Sequence, residues 1–170
     1  MKHLLLSFLA MTLFLASSVN VFASVPKDWV GQKFVDFIVD DGNPDGTAVR
    51  LSDYVGKGKY VIVDFWASWC APCKGELPNL KEVYEKYGGD DFTVVSVAVW
   101  DKRADSEKTV KSHGMTWPQI LNSGEFATKL YGIKAIPQIM MVGPDGTIVE
   151  WNLRGDAIET AVSKYVKAKK

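Results

Sequence analysis

Cys70 and Cys73 are the only cysteines in a chain of 170 residues, and two residues separate them. Both lie in the stretch K-Y-V-I-V-D-F-W-A-S-W-C-A-P-C-K-G-E-L-P, residues 59–78. Tyr60 to Trp66 is an apolar run broken only by Asp64, the pattern of a parallel-type strand buried on both faces. Behind the cysteines Leu77, Leu80, Val83 or Tyr84, and Tyr87 recur at helical spacing. The pattern predicts a strand, a short turn carrying C-x-x-C, and a helix that starts beneath the first sulfur. A thiol there faces unpaired N–H groups and the positive end of the helix dipole, which favours the thiolate by roughly 0.3–2 kcal/mol. The thiolate is the nucleophile of disulfide exchange. Two intervening residues allow a disulfide across the first turn, and Pro72 fixes φ where a missing N–H costs little. Burial of the strand is expected to keep the second sulfur, Cys73, out of solvent.

Other uses of the pair fare worse. A zinc site needs about four ligands; the chain has no third cysteine and only His3 and His113 as histidines, so no metal is expected. A purely structural bridge would close too small a loop to stabilise much. Structural bridges are also uncommon at a strand-to-helix junction flanked by two tryptophans, here Trp66 and Trp69.

The string V-D-F-W-A-S-W-C-A-P-C-K, residues 63–74, resembles the thioredoxin signature, and the wider chain resembles the exported TlpA/ResA-like branch of that superfamily. Asp64, six residues before Cys70, matches the family's buried aspartate. Pro78, eight residues after Cys70, matches the proline that kinks the first active-site helix. Glu76 matches an acidic residue in the C-x-x-C-K-x-E-x-P form of the branch. The resemblance implies a thioredoxin-like α/β fold, a central mixed sheet flanked by helices, with an N-terminal β-hairpin and an inserted βα unit.

The elements that must position these residues follow in order. Lys2, the apolar Leu4 to Ala16 and Val21-Phe22-Ala23 read as a signal peptide cleaved after Ala23. The apolar run is short for a membrane span, so an uncleaved anchor is the weaker reading. Export would place the thiols outside the cytoplasm, in the periplasm. Removing residues 1–23 from the 170 leaves 147, enough for one domain, 24–170, and too few for two. Twenty basic residues face 20 acidic ones, and losing Lys2 leaves a net charge of −1, which argues against a nucleic-acid partner.

Phe34, Val35, Phe37 and Ile38, the turn cluster 40–46, and Val49 to Leu51 predict the hairpin. Phe92 to Trp100 reads as a strand, Asp105 to Lys111 as a helix, Trp117 to Leu121 as a short strand and Glu125 to Tyr131 as a helix. His113, near a helix C-terminus, reads as a dipole-matched surface residue. Ile139 to Val142 and Thr147 to Trp151 flank a Pro-Asp-Gly turn and predict an antiparallel hairpin. A closing helix from Asp156 buries Ile158, Ala161, Val162, Tyr165 and Val166, with Lys167, Lys169 and Lys170 at its C-terminus.

By itself Pro137 could be a trans proline opening a strand. The resemblance puts it at the family's cis-proline position, where the turn lies against C-x-x-C and the backbone of Ile136 can pair with an extended substrate. Trp69, Ala71, Pro72, Ile136 and Pro137 are therefore the expected substrate groove, and Trp66 and Trp69 are expected to pack and shield the site. Cys70 would attack a substrate disulfide, and Cys73 would resolve the mixed disulfide and leave a Cys70–Cys73 bridge. Asp64, in an apolar strand, should have a raised pKa suited to relaying the Cys73 proton; otherwise it is a hydrogen-bonded core acid. Glu76 either tunes the thiols or is an exposed helix acid. The lysine that accompanies the aspartate in thioredoxin falls near Ser96, so Asp64 is expected to lack that cation.

Ala71-Pro72 between the cysteines holds no histidine to stabilise the thiolate further, which points to a low potential and a protein-disulfide reductase. Its partners would be a disulfide-containing protein, apocytochrome c in cytochrome c maturation being one such use, and a membrane electron donor. A monomer without a cofactor is expected, because the cysteine pair itself holds the electrons. The alternatives are an oxidase or isomerase of the same fold and a non-enzymatic binding protein with a static disulfide. A peroxidase would carry a lone cysteine in a T-x-x-C context, which Ser68 and Trp69 before Cys70 do not match.

Overall fold

The computed structural model describes residues 28–40 and 47–169. The expected signal peptide at 1–23, most of the turn cluster, 41–46, and Lys170 lie outside the described residues. In chain order the elements are β1 (Ile38–Asp40), β2 (Ala48–Arg50), a 3-10 turn (Leu51–Asp53), β3 (Tyr60–Trp66), α1 (Ala71–Tyr87), β4 (Phe92–Ala98), α2 (Arg103–His113), β5 (Gln119–Ile120), α3 (Phe126–Tyr131), β6 (Gln138–Val142), β7 (Ile148–Trp151) and α4 (Asp156–Tyr165). Five strands form one mixed sheet in the order β5-β4-β3-β6-β7, and β1 and β2 form a separate antiparallel pair. β4 runs parallel to β3 and β5, whereas β6 is antiparallel to β3 and β7.

β3 occupies the middle of the sheet, which is why its sequence is apolar at every position but one. Side chains alternate across a strand. Ile62 and Trp66 join the core shared with Leu77, Leu80 and Val83 of α1 and with Ile158 and Val162 of α4. Val61, Val63 and Phe65 join the opposite core, with Trp29, Leu51 and Tyr131. Asp64 therefore points to the α1 side, the side that also holds both cysteines. The same alternation puts Ser96 of β4 and Ile139 of β6 beside it, as register partners of Asp64.

Several boundaries differ from expectation for identifiable reasons. β4 stops at Ala98 instead of Trp100, because Trp100 turns into the left-handed region at φ 53°. α2 runs from Arg103 to His113 and is longer at both ends than the 105–111 helix expected. Residues 34–37 precede the first hairpin strand instead of forming it. The chain there lies along the β6–β7 turn, with the Phe34 N–H donating to Gly146 O (2.8 Å) and the Gly31 N–H to Ile148 O (2.8 Å). Gly146 has φ 84°, and a Cβ there would come within 2.9 Å of the Phe34 ring, so this turn accepts only glycine without a shift. α4 ends at Tyr165, which leaves Lys167 and Lys169 beyond the helix; Lys164 is the basic residue of its last turn. No helix among the described residues is long and apolar enough to cross a membrane.

Candidate active site

β3 ends at Trp66, and the chain makes one turn before α1 begins at Ala71. That turn carries the chemistry. Cys70 is the N-cap of α1, with extended backbone, and its Sγ accepts the Cys73 N–H at 3.2 Å. The first sulfur therefore sits where the unpaired N–H groups of a helix point, and it takes one of them. Pro72 falls in the first turn of the helix. Cys70 and Cys73 are joined by a disulfide. Burial covers both sulfur residues, Cys70 at 3% and Cys73 at 2% exposure, not Cys73 alone.

The turn is held from the neighbouring strand. Asp101, just past β4, accepts the Ser68 N–H (2.6 Å), the Ser68 hydroxyl (3.0 Å), the Lys102 N–H (2.9 Å) and the Ser106 hydroxyl (2.7 Å). Next to it, Trp100 O accepts the Trp69 indole N–H at 2.9 Å. Left-handed backbone at an aromatic residue costs about 1–2 kcal/mol, and here it aims the Trp100 carbonyl at Trp69. The two tryptophans separate. Trp66 is fully buried, whereas Trp69 is 60% exposed and so does not pack over the site as expected. It stands at the surface beside Ala71 and Pro72, which are also exposed.

The Ile136–Pro137 peptide bond is cis. Phe65 is the register partner of Gln138, so Ile136 and Pro137 lie at the end of the sheet from which the cysteine turn departs. Ile136 packs against the core that contains both cysteines. The five residues expected to line a substrate groove thus lie towards one end of the sheet.

Asp64 is 2% exposed. Loss of solvent pushes its pKa up to about 7, against the opposing effects of a hydrogen bond from Ser96 and the positive charge of Arg154; the charge of Glu76 adds to the rise. The Ser96 hydroxyl donates to Asp64 Oδ2 at 3.0 Å and itself accepts the Trp117 indole N–H at 2.8 Å. Neutral Ser96 thus stands beside Asp64 as expected, with no lysine there, while a positive charge reaches Asp64 from Arg154 in the β7–α4 connection. Arg154 also donates to Pro137 O. No motif announced it, since an arginine in a loop has no periodicity and its partners lie elsewhere in the sequence. Asp101 escaped for the same reason.

Glu76 is not an exposed helix acid. It is half-buried, and its Oε2 accepts the Asn79 side-chain N–H (3.0 Å) and the Gly155 backbone N–H (2.9 Å). It ties the second turn of α1 to the start of α4. His113 lies exposed at the end of α2, with Nδ1 against Thr109 O and the Ser112 hydroxyl. Among the described residues no three His, Cys, Asp or Glu side chains converge as a metal site would require.

The arrangement is that of a redox-active dithiol: an N-capping sulfur, a second sulfur one turn on, and a buried acid whose pKa lies near neutrality. Known proteins agree with it. Residues 30–151 match the model of the AhpC/TSA family. The chain is 30% identical to the thiol-disulfide oxidoreductase ResA of Geobacillus thermodenitrificans, over 85% of this chain and 79% of that relative. It is 28% identical to ResA of Bacillus subtilis, over 86% of this chain and 79% of that relative. The solved thioredoxin domain of a Bacteroides vulgatus thiol-disulfide oxidoreductase superimposes with a TM-score of 0.71 at 31% identity, covering 81% of this chain and 98% of that one. A thiol:disulfide interchange protein from Bacteroides sp. gives 0.69 at 32% identity, covering 81% and 90%.

Proposed function

Because the chain belongs to the AhpC/TSA family and is a thioredoxin-like thiol-disulfide oxidoreductase, we propose that it is an exported reductase of protein disulfides, with Cys70 as the attacking and Cys73 as the resolving thiol. The observation that carries this reading is the Cys70–Cys73 disulfide at the N-terminus of α1, with Cys70 as N-cap. In the reduced protein the Cys70 thiolate attacks one sulfur of a substrate disulfide. A bond forms to Cys70 Sγ, the substrate S–S bond breaks, and the leaving sulfur takes a proton. Asp64 accepts the Cys73 proton, directly or through a water, and Cys73 Sγ attacks Cys70 Sγ. The second substrate thiol leaves, and the protein keeps the disulfide. The substrate has gained two electrons and two protons; a membrane dithiol donor would return them to the protein.

The groove of Trp69, Ala71, Pro72, Ile136 and Pro137 would hold the substrate as an extended strand against the Ile136 backbone. Glu76 contributes through its charge beside Asp64. The direction rests on Ala71-Pro72, exposed and without a cationic or imidazole side chain to favour the thiolate further. Domain 24–170 would act as a monomer outside the cytoplasm once residues 1–23 are removed, and an exported disulfide protein such as apocytochrome c is a candidate substrate.

Equilibration with dithiothreitol or glutathione, followed by tryptophan fluorescence, tests the direction. A potential near or below about −230 mV is expected for the reductase, whereas a value near about −120 mV would make it an oxidant. Insulin reduction in the presence of dithiothreitol should fall to background in Cys70→Ser. Wild-type protein with no insulin-reducing activity would instead favour a binding protein with a static disulfide.

A further inference from the structure

The four residues between β7 and α4, Asn152 to Gly155, are fastened to three parts of the site. Asn152 turns the chain back at φ 63°. The Leu153 N–H donates to Ile139 O at 2.9 Å, and Ile139 is the β6 register partner of Asp64. The Gly155 N–H donates to Glu76 on α1. Between them, the half-buried Arg154 sends one guanidinium arm to Leu153 O and the other to Pro137 O. It therefore stands one strand away from Asp64, between the Pro137 turn and the second turn of α1.

We propose that Arg154 is a positioning residue of the exchange reaction, clamping the Pro137 carbonyl while presenting a fixed positive charge to Asp64 and Glu76. The inference rests on the dithiol reading above. Its physical basis is the set of groups around Asp64: the neutral Ser96 hydroxyl on β4, apolar Ile139 on β6, the Glu76 carboxylate on α1 and Arg154 from the β7–α4 connection. Of the two charges that act on Asp64, Glu76 raises its proton affinity and Arg154 lowers it. A guanidinium stays charged throughout the working pH range, and in a partly desolvated site its attraction for a carboxylate is only weakly screened. It offsets the repulsion between Asp64 and Glu76, so that Asp64 can be an anion, and hence a base, when Cys73 must lose its proton. The same side chain fixes the turn that lies at the groove.

The two roles separate by substitution. Arg154→Gln keeps a donor for Pro137 O and loses the charge; Arg154→Lys keeps the charge and loses the planar fork. Carbon-13 NMR of aspartate-labelled oxidised protein reads the Asp64 titration directly. In Arg154→Gln the midpoint should rise by about half a pH unit or more, roughly a threefold gain in proton affinity. In Arg154→Lys it should stay near wild type, while KM for a disulfide peptide rises. An Asp64 midpoint unchanged in folded Arg154→Gln overturns the proposal. If that variant does not fold, the Arg154 Nε–H resonance of the wild-type protein serves instead: it should shift with the Asp64 midpoint, and a flat response across that range overturns the proposal equally. Neither readout needs turnover. Absence of insulin reduction would therefore sink the dithiol reading and leave the electrostatic result legible.

Discussion

Asp64, the proposed proton acceptor, also links stability to pH. Its folded-state pKa is pushed up to about 7, chiefly by burial, while an unfolded chain would hold it near the ordinary value of about 3.9. Between these values the folded protein binds the proton and the unfolded chain does not. Stability from this group is therefore fully present below about pH 4, and it is lost as pH rises through about 7. The effect is a few kcal/mol, at roughly 1.4 kcal/mol per unit. Asp64→Asn keeps an acceptor for the Ser96 hydroxyl but cannot ionise. It should flatten the pH dependence over that window and be more stable than wild type above about pH 7. Urea denaturation of both proteins at about pH 5 and pH 8 checks this; parallel losses in the two proteins would mean that Asp64 is not the group responsible. The same substitution should slow disulfide exchange, because the site keeps its geometry and loses its proton acceptor. A buried acid that is costly to the fold at neutral pH is a usual sign of a functional site.

At the scale of elements, the turn between β3 and α1 is positioned mainly by residues that follow β4. Asp101 takes four hydrogen bonds, two of them from Ser68. Removing the carboxylate in Asp101→Ala leaves those donors without it and should cost about 2–4 kcal/mol. The loss should also be local: hydrogen exchange should quicken at residues 67–70 while β3 amides stay protected. Uniform deprotection of turn and strand would mean that Asp101 supports the whole sheet instead of the turn. The strands and helices around this turn were legible because they repeat. The two-sided run of β3, the helical spacing of α1 and the Pro-Asp-Gly turn between β6 and β7 each follow from a period or from turn chemistry in neighbouring residues. C-x-x-C with its spaced partners was legible as a motif. Asp101 and Arg154 were not, because each acts on backbone groups that are remote in sequence, 33 residues away for Asp101 to Ser68 and 17 for Arg154 to Pro137. The extent of the first hairpin was not legible, because residues 31–34 bond to Gly146 and to Ile148 of β7, a tertiary choice that local apolar character does not reveal.

For the whole molecule, the direction of exchange is a statement about two stabilities. Folding and disulfide formation share one thermodynamic cycle, so a fold that is more stable oxidised than reduced makes its own disulfide harder to reduce. Two contributions compete here. Closing the short loop between Cys70 and Cys73, separated by 3 in sequence, removes only a little chain entropy from the unfolded state and favours the oxidised fold by at most about 2 kcal/mol, the low end for a disulfide. The helix N-terminus favours the Cys70 thiolate, and thus the reduced fold, by roughly 0.3–2 kcal/mol. With no cation or imidazole at Ala71-Pro72 to reinforce the second contribution, the first should win. The oxidised domain should then melt a few degrees above the reduced one, at about 2–4 °C per kcal/mol for a domain of this size. Calorimetry of the oxidised protein and of protein held reduced by excess dithiothreitol, both at neutral pH, measures the difference. A reduced form that melts higher would mean that the thiolate outweighs the loop closure, which is the balance of an oxidant, and the reductase assignment would fall even if insulin is turned over.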